Sequence, residues 1–509
     1  MYTIRKLLTC LIMVVMLTAC FGVMSAATAE AVQLQVLATS DMHGRFVSYD
    51  YALNAPSTSG SCTQLATAIA ALRTENTILV DGGDIIQDNS SEMFLQDDMH
   101  PMMLAMNEMG YDAWIVGNHE FNYGLPTLKR IIQQNNAPLL CGNVLDENGD
   151  MLGVPYIIIE KSGVKIALIG MVTPNIVRWD AENLKNSTVL DPVTETRKVI
   201  DALKGQVDVL IAVEHMMLDN EYDVPDSGAT DLANACPELD LIIAAHGHQA
   251  IGALEINGVP IVENKNSGAT MAQILMDVEK TEDGWQVTNV TTGLVNIQDY
   301  EEDAALNEKL QPYHERAVVN AETVIGSFTS EYLAAPDEIP GIPTAQIEDT
   351  ALIDLINEVQ MYYTGAKVSG TALFVSNANL YAGDIRKCDM ALIYKYSNTL
   401  YKLEMTGAQL KAWMEWSVSY YNTYTPGDLT ISFNEGIRGY NYDMFSGVLY
   451  EVNIAKEPGD RIENLTWPDG TPVQMDEVFL VAANNYRSAS HLATYGEIFH
   501  EGEALPKIL

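Results

Sequence analysis

Five of the nine histidines in this chain, His43, His119, His215, His246 and His248, fall within a residue or two of the end of an apolar run. The runs read VLATSDMHG (36–44), WIVGNHE (114–120), VLIAVEH (209–215) and LIIAAHGH (241–248). A fifth, TILVDGGD (77–84), ends on Asp84 instead. Each histidine has carboxylate, carboxamide or imidazole company: Asp41 beside His43, Asn118 beside His119, and His246 paired with His248. Oxygen and imidazole donors without thiolate suit Mn, Zn, Fe, Mg or Ca rather than an iron–sulfur or structural zinc site. The chemistry they point to is metal-assisted hydrolysis.

Each piece alone has a plainer explanation. Asp84 after two glycines suits a turn or a helix cap. Asn118–His119 suits a hydrogen-bonded pair closing a strand, and His215 a satisfied interior histidine. The pair His246–His248 is more specific, because two alternating imidazoles at a strand end can point at one site. The whole set, in one order at strand ends, is hard to obtain by chance. Short β-branched runs of this kind are what buried parallel strands look like, and open α/β sheets bind ligands beyond the carboxyl ends of their strands. Five such ends converge on one crevice.

Between these runs lie helical stretches, CTQLATAIAALR (62–73), LPTLKRIIQQN (125–135) and VTETRKVIDALK (193–204), so residues 30–295 read as a layered α/β domain. YIIIEKSGVKIALIG (156–170) reads as a hairpin turned at Ser162–Gly163. Residues 296–325 are charged and helix-prone, with Pro312 as the one breaker. From 326 to 509 a second α/β unit follows, with a helix over DTALIDLINEVQMYYTG (349–365) and strands over FSGVLYEVNI (445–454) and EVFLVAANN (477–485).

With 509 residues the chain suits two domains plus a leader. Arg5 and Lys6, the apolar run from Leu7 and the small residues before Glu30 read as a signal peptide over residues 1–29. Two cleavage motifs are present: Ala27–Thr28–Ala29 for signal peptidase, and Leu17–Thr18–Ala19–Cys20, which makes Cys20 a candidate lipid anchor. No later stretch reaches the ~20 apolar residues of a membrane span. The expectation is an exported monomer, extracellular, cell-surface or periplasmic. A net charge of −40 argues against a nucleic-acid polymer as partner. An anionic substrate then needs local cations, and bound metals supply them. Cys62, Cys141, Cys236 and Cys388 lie in the body of the chain without any CxxC, and sequence leaves both disulfides and free thiols open.

The ordered set DMHG, GGD, GNHEFNYG, EH and HGH resembles the calcineurin-like metallophosphoesterases, specifically the exported two-domain nucleotidases. The 5′-nucleotidase branch usually writes GNHEFD. The bacterial 2′,3′-cyclic-nucleotide 2′-phosphodiesterase/3′-nucleotidase branch writes GNHEFNYG, as residues 117–124 do here, so Asn122 discriminates. YKYSNTLYKLEMTGAQLKAWMEWS (394–417), RGYNYDMFSGVLYEV (438–452) and VAANNYR (481–487) resemble the C-terminal nucleotide-binding domain of that branch. Related chains continue for several tens of residues past the point where this one stops, so the second domain is expected to be short at its end.

The resemblance implies a four-layered α/β/β/α catalytic domain, a linker helix about which the domains rotate, and an α/β substrate-binding domain. It implies two divalent ions (Mn, Zn, Fe, Co, Mg or Ca). Asp84 is expected to bridge them, with Asp41, His43 and His248 completing one site and Asn118, His215 and His246 the other. Ala245 stands where a glycine usually precedes the H-x-H pair. His119 is expected to stabilise the transition state or protonate the leaving group, with Asn118 beside it. An aspartate orients that histidine in the 5′-nucleotidase branch; Asn122 can orient it but brings no charge. Tyr440 and Tyr486 match aromatics that sandwich the base, and Asn441 and Asp443 are polar neighbours for base or ribose.

The function expected is hydrolysis of 2′,3′-cyclic nucleotides to 3′-nucleotides and of those to nucleoside and phosphate, for nucleotide scavenging. The alternatives are a 5′-nucleotidase or nucleotide pyrophosphatase on the same site, and a non-catalytic nucleotide-binding surface protein.

Overall fold

The structure is a computed structural model that describes residues 30–222, 224–282, 284–394 and 398–509. The expected leader, with both cleavage motifs and Cys20, lies outside the described residues.

The first half is built on two six-stranded sheets. In one, Ala31–Thr39, Thr77–Asp81, Ala113–Ile115 and Leu139–Leu140 run parallel, and Thr270–Thr281 pairs antiparallel with Ala31–Thr39, carrying Gly284–Asn296 on its outer edge. In the other, Val164–Val172, Val209–His215, Leu241–Ala244 and Val259–Glu263 are parallel, flanked by the antiparallel strands Tyr156–Lys161 and Ile251–Ile256.

Side-chain alternation decides the layers. Leu34, Val36, Ala38, Ile78, Val80 and Ile115 of the first sheet meet Ile166, Leu168, Ile211, Val213 and Ile243 of the second in one apolar slab. The intervening Leu37, Leu79 and Trp114 face outward onto the helices Cys62–Leu72 and Pro101–Met109. On the far side, Ala167, Ile169, Ala212 and Ile242 pack against Pro192–Leu203 and Ala229–Ala235. The result is α/β/β/α.

The helix Ala304–Ala321 contains Pro312 and lays Leu306, Leu310, Ala317 and Ala321 against the first domain's core. Beyond it, a five-stranded mixed sheet is ordered Met444–Ser446, Val368–Thr371, Val478–Asn484, Leu400–Thr406, Lys507–Ile508. It packs with the helices Ala351–Thr364 and Gly407–Val418 around Trp413, Leu352 and Val481.

Two local readings meet the structure differently. The hairpin at Ser162–Gly163 is present, both residues holding positive φ between Tyr156–Lys161 and Val164–Val172. The strand read over 445–454 is two strands in two sheets, Met444–Ser446 and Leu449–Val452. Gly447 between them turns the backbone at φ +92°, and a Cβ there would collide with the Lys367 carbonyl, so only glycine fits that turn. The four body cysteines are buried free thiols.

Candidate metal centre and interdomain cleft

The sheets deliver their strand ends to one place. Asp41 and His43 follow Ala31–Thr39, Asp84 follows Thr77–Asp81, Asn118 follows Ala113–Ile115, His215 closes Val209–His215, and His246 and His248 follow Leu241–Ala244. Asp41, His43, Asp84, His246 and His248 all hold positive φ, between 45° and 74°. Non-glycine residues in that region are strained and cluster at functional sites. Five at one crevice, all with donor side chains, mark a loop set shaped for what the side chains must reach.

Two clusters result: Asp41, His43 and His248, and Asp84, His215 and His246, the donor atoms of each lying within 4.8 Å of one another. Asn118 joins the second, its Oδ1 3.1 Å from His215 Nε2. His215 Nε2 is 3.2 Å from Asp84 Oδ2, and its Nδ1 is held by the Gly82 carbonyl at 2.7 Å. Gly117 has no room for a side chain, since a Cβ would collide with Asp84 Oδ1 and His215. Burial opposes a charge on Asp84, but the imidazoles of His215, His119 and His43 hold its carboxyl well below the usual range. Burial lowers His43 to about 4, so its ring is neutral at pH 7 and keeps a lone pair to donate.

The donor set suits divalent cations. Asp41 is fully buried, and its Oδ2 has no hydrogen-bond partner. A buried carboxylate oxygen left unpaired costs several kcal/mol unless a cation meets it. Nitrogen and oxygen donors in two adjoining groups answer that need.

Supporting residues hold the candidate ligands, and these were not read from the sequence. Glu120 is fully buried and accepts four backbone N–H groups, from Asp84 (2.9 Å), Ile85 (2.7 Å), Ile86 (3.2 Å) and Gly117 (2.6 Å). It locks the two loops that carry Asp84 and Asn118. Gln87 Oε1 lies 2.9 Å from His43 Nδ1, and Glu221 Oε2 lies 3.1 Å from His246 Nε2. The only sequence signal for Glu120 was its place directly after His119; Gln87 and Glu221 carried none.

His119 lines the same space, with its Nδ1 2.8 Å from Asn122 Oδ1 and its backbone N–H on Asp84 Oδ1 at 2.8 Å. A cleft of ≈ 400 Å³ runs from His43, Asn118, His119, His246 and His248 to Phe374, Asn398, Tyr440, Asn485 and Tyr486 of the second domain. Trp179 and Tyr222 of the first domain complete its wall. The Tyr440 and Tyr486 rings stand 6.5 Å apart at 76°, edge to face rather than parallel.

Asp443 corrects the sequence reading. It is 4% exposed, accepts the Trp413 indole N–H at 2.8 Å and forms an ion pair with Arg487 at 2.7 Å. It has no face for base or ribose. Asn441 accepts from Arg487 Nη1 at 3.1 Å, and Arg487 Nη2 donates to the Tyr440 carbonyl at 3.0 Å. Both residues therefore anchor the tyrosine loops through a buried guanidinium. Motif position alone does not separate a residue that touches ligand from one that holds its neighbour.

Residues 34–250 match the calcineurin-like phosphoesterase family, and residues 324–496 match the 5′-nucleotidase C-terminal domain. The chain is 29% identical to the trifunctional nucleotide phosphoesterase protein YfkN of Bacillus subtilis over 91% of its own length, but spans 36% of that protein. It is 26% identical to a 2′,3′-cyclic-nucleotide 2′-phosphodiesterase/3′-nucleotidase of Yersinia enterocolitica, covering 92% of this chain and 82% of the relative. The Haemophilus influenzae protein of the same name is 28% identical over 90% and 80%. Among solved structures, a Staphylococcus aureus chain crystallised with α-ketoglutarate aligns at TM-score 0.80 and 20% identity over 94% of both chains. The 5′-nucleotidase precursor of Thermus thermophilus aligns at 0.62 and 18% over 94% and 93%.

Proposed function

The chain belongs to the calcineurin-like phosphoesterases that carry a 5′-nucleotidase C-terminal domain, and we propose that within this family it opens 2′,3′-cyclic nucleotides to 3′-nucleotides and then removes the 3′-phosphate. The observation that carries the reading is Asn122, whose carboxamide rather than a carboxylate meets His119 at 2.8 Å. The relatives named for this pair of activities, matched over four-fifths or more of their length, support it.

Family membership implies divalent ions, and we propose two. Asp41, His43 and His248 would hold one and Asn118, His215 and His246 the other, with Asp84 shared. When bound, such ions neutralise charge on the phosphoryl oxygens and acidify a water for attack. The chain's own residues do the rest. Asn122 takes the Nδ1 proton of His119 in a hydrogen bond, which leaves Nε2 to meet the leaving oxygen. Glu120 keeps the Asp84 and Asn118 loops in register. The aromatic wall of the cleft receives the base, and that wall is sequence-tolerant because every base presents a π face.

No helix among the described residues is long and apolar enough to cross a membrane. The signal peptide read in the sequence over residues 1–29 and similarity to a Listeria monocytogenes chain called a cell wall protein support action outside the cytoplasmic membrane, with nucleotide scavenging as the proposed purpose.

Turnover of 2′,3′-cAMP, 3′-AMP, 5′-AMP and bis-p-nitrophenyl phosphate by the metal-reconstituted protein tests the reading. The first two are expected to give the highest kcat/KM among the nucleotides. Preference for 5′-AMP overturns the assignment in favour of a 5′-nucleotidase, and metal-loaded protein inert on all four leaves a binding protein.

A further inference from the structure

His119 is oriented by a carboxamide, and a carboxamide offers either an oxygen or an NH₂ group to its neighbour. Which it offers is settled one residue further out. Asp180 caps the short helix Ile176–Trp179, its backbone N–H bonded to the Ile176 carbonyl at 2.9 Å. The side chain is 6% exposed, and its Oδ2 accepts Asn122 Nδ2 at 2.9 Å. Its Oδ1 accepts Asn183 Nδ2 at 3.1 Å. Asn183 Nδ2 also reaches the Phe121 and Asn122 carbonyls, at 3.0 and 3.1 Å, and ties this loop to the turn that carries His119.

An ionised carboxylate accepts hydrogen bonds and donates none. Facing Asp180, Asn122 must present its NH₂ group, and its oxygen is then turned to His119. That oxygen accepts only, so the proton must sit on His119 Nδ1. We propose that Asp180 is a positioning residue for His119: through the Asn122 carboxamide it keeps Nδ1 protonated, so that Nε2 is the nitrogen that binds a proton from solvent and passes it to the leaving oxygen, the ring returning to its Nδ1–H form. It also places a negative charge one amide away from the ring. Burial raises the Asp180 carboxyl to about 6, against the pull of Asn183, Asn122 and His119, so the relay is in its carboxylate form at pH 8.

The tautomer stands on the hydrogen bonds alone, and its catalytic consequence rests on the proposed role of His119. Asp180→Asn keeps the shape of the side chain but lets it present NH₂, which frees the Asn122 amide to turn over. The double variant Asp180→Asn/Asn122→Asp puts a carboxylate directly on His119, with the carboxamide introduced at position 180 as its donor. The ring ¹⁵N shifts of His119, assigned by their loss in His119→Gln, are read on the metal-free full chain at pH 8. The wild type is expected to show a protonated Nδ1 and a bare Nε2, Asp180→Asn to move proton density to Nε2, and the double variant to restore Nδ1–H.

In the metal-loaded enzyme, Asp180→Asn is expected to lower kcat on 3′-AMP roughly 10- to 100-fold, below the ~100- to 10,000-fold contribution of a general acid because His119 itself remains. KM and bound metal should stay the same. Bis-p-nitrophenyl phosphate, whose leaving group needs no proton, should be nearly unaffected, and the double variant should recover most of the loss. A His119 spectrum unchanged by Asp180→Asn overturns the proposal, and so does an equal loss on both substrates. If the wild type itself prefers 5′-AMP, the functional reading fails while the ring spectrum still decides the positioning role.

Discussion

His43 Nε2 and His248 Nε2 lie 3.3 Å apart, one ring nitrogen facing the other. Two lone pairs do not sit so close without a proton or a cation to share. His43 Nδ1 is committed to Gln87 Oε1 at 2.9 Å, and that oxygen only accepts, so His43 carries its proton on Nδ1 and directs a lone pair at its neighbour. Gln87 thereby fixes the tautomer that can ligate. Gln87→Leu is expected to weaken the ion held by Asp41, His43 and His248 about 10- to 100-fold, the usual cost of losing a partner behind a ligating histidine. Chelator competition reads the affinity directly. An unchanged value would mean that packing alone orients the ring.

Asp84 serves more than one task. Its Oδ1 accepts the His119 backbone N–H at 2.8 Å while Oδ2 approaches His215 Nε2 at 3.2 Å. Asp84→Ala should abolish turnover and leave less bound metal than His43→Ala, which is expected to retain roughly one of two ions. Metal analysis of the two folded variants side by side makes the comparison. Near-normal activity in folded Asp84→Ala would remove the shared-carboxylate assignment.

Away from the site, Asp240 leads into the strand Leu241–Ala244, and its Oδ2 accepts the Leu210 N–H at 2.8 Å. Burial raises its carboxyl to about 6, with the Leu210 bond pulling the other way. The folded state then binds this proton more tightly than the unfolded chain does. Its contribution is most favourable at low pH and declines as pH rises from about 4 through about 6. Asp240→Asn keeps an oxygen for Leu210 and has no proton to lose. Relative to wild type, the variant should gain stability as pH goes from 4.5 to 8, measured by urea midpoints. A gain that shrinks over that interval would contradict the shift.

Much of this was legible in the sequence because it is local. Asp41, His43, Asp84, His215, His246 and His248 follow β-branched runs, and a parallel sheet must deliver such ends to one edge. The two faces of each strand were not announced by these runs, which are apolar throughout; alternation puts Val36 on the slab and Leu37 on the helices. Gln87 and Asp180 were not legible. They act across 44 and 58 residues, from loops with no periodicity, and such hydrogen bonds leave no pattern along the chain. The split at Gly447 was missed because an apolar run on both sides looks continuous, and the positive φ that breaks it, where only glycine fits against the Lys367 carbonyl, leaves no mark in the pattern.

On the proposed function, the cleft wall separates recognition from chemistry. Tyr440 and Tyr486 belong to the second domain, whereas His119 and the proposed metal ligands belong to the first. Their rings meet edge to face at 6.5 Å, so a base inserted between them must turn at least one ring. Arg487 fixes the backbone behind them, through its bond to the Tyr440 carbonyl, and stacks 4.7 Å from the Trp416 ring centroid. Loss of either tyrosine should forfeit about 1–3 kcal/mol of stacking. That is roughly 5- to 150-fold in affinity at ~1.4 kcal/mol per decade. If stacking is equal in the ground and transition states, the loss appears in KM for nucleotides and not in kcat. Bis-p-nitrophenyl phosphate has no base to place, so Tyr440→Ala or Tyr486→Ala should leave its hydrolysis intact while weakening 3′-AMP. Circular dichroism and a melting curve first establish that each variant is folded. Equal losses on both substrates by a folded variant would make these tyrosines supports of the domain contact, and the base would have to be met by Phe374, Trp179 or Tyr222, which line the same cleft.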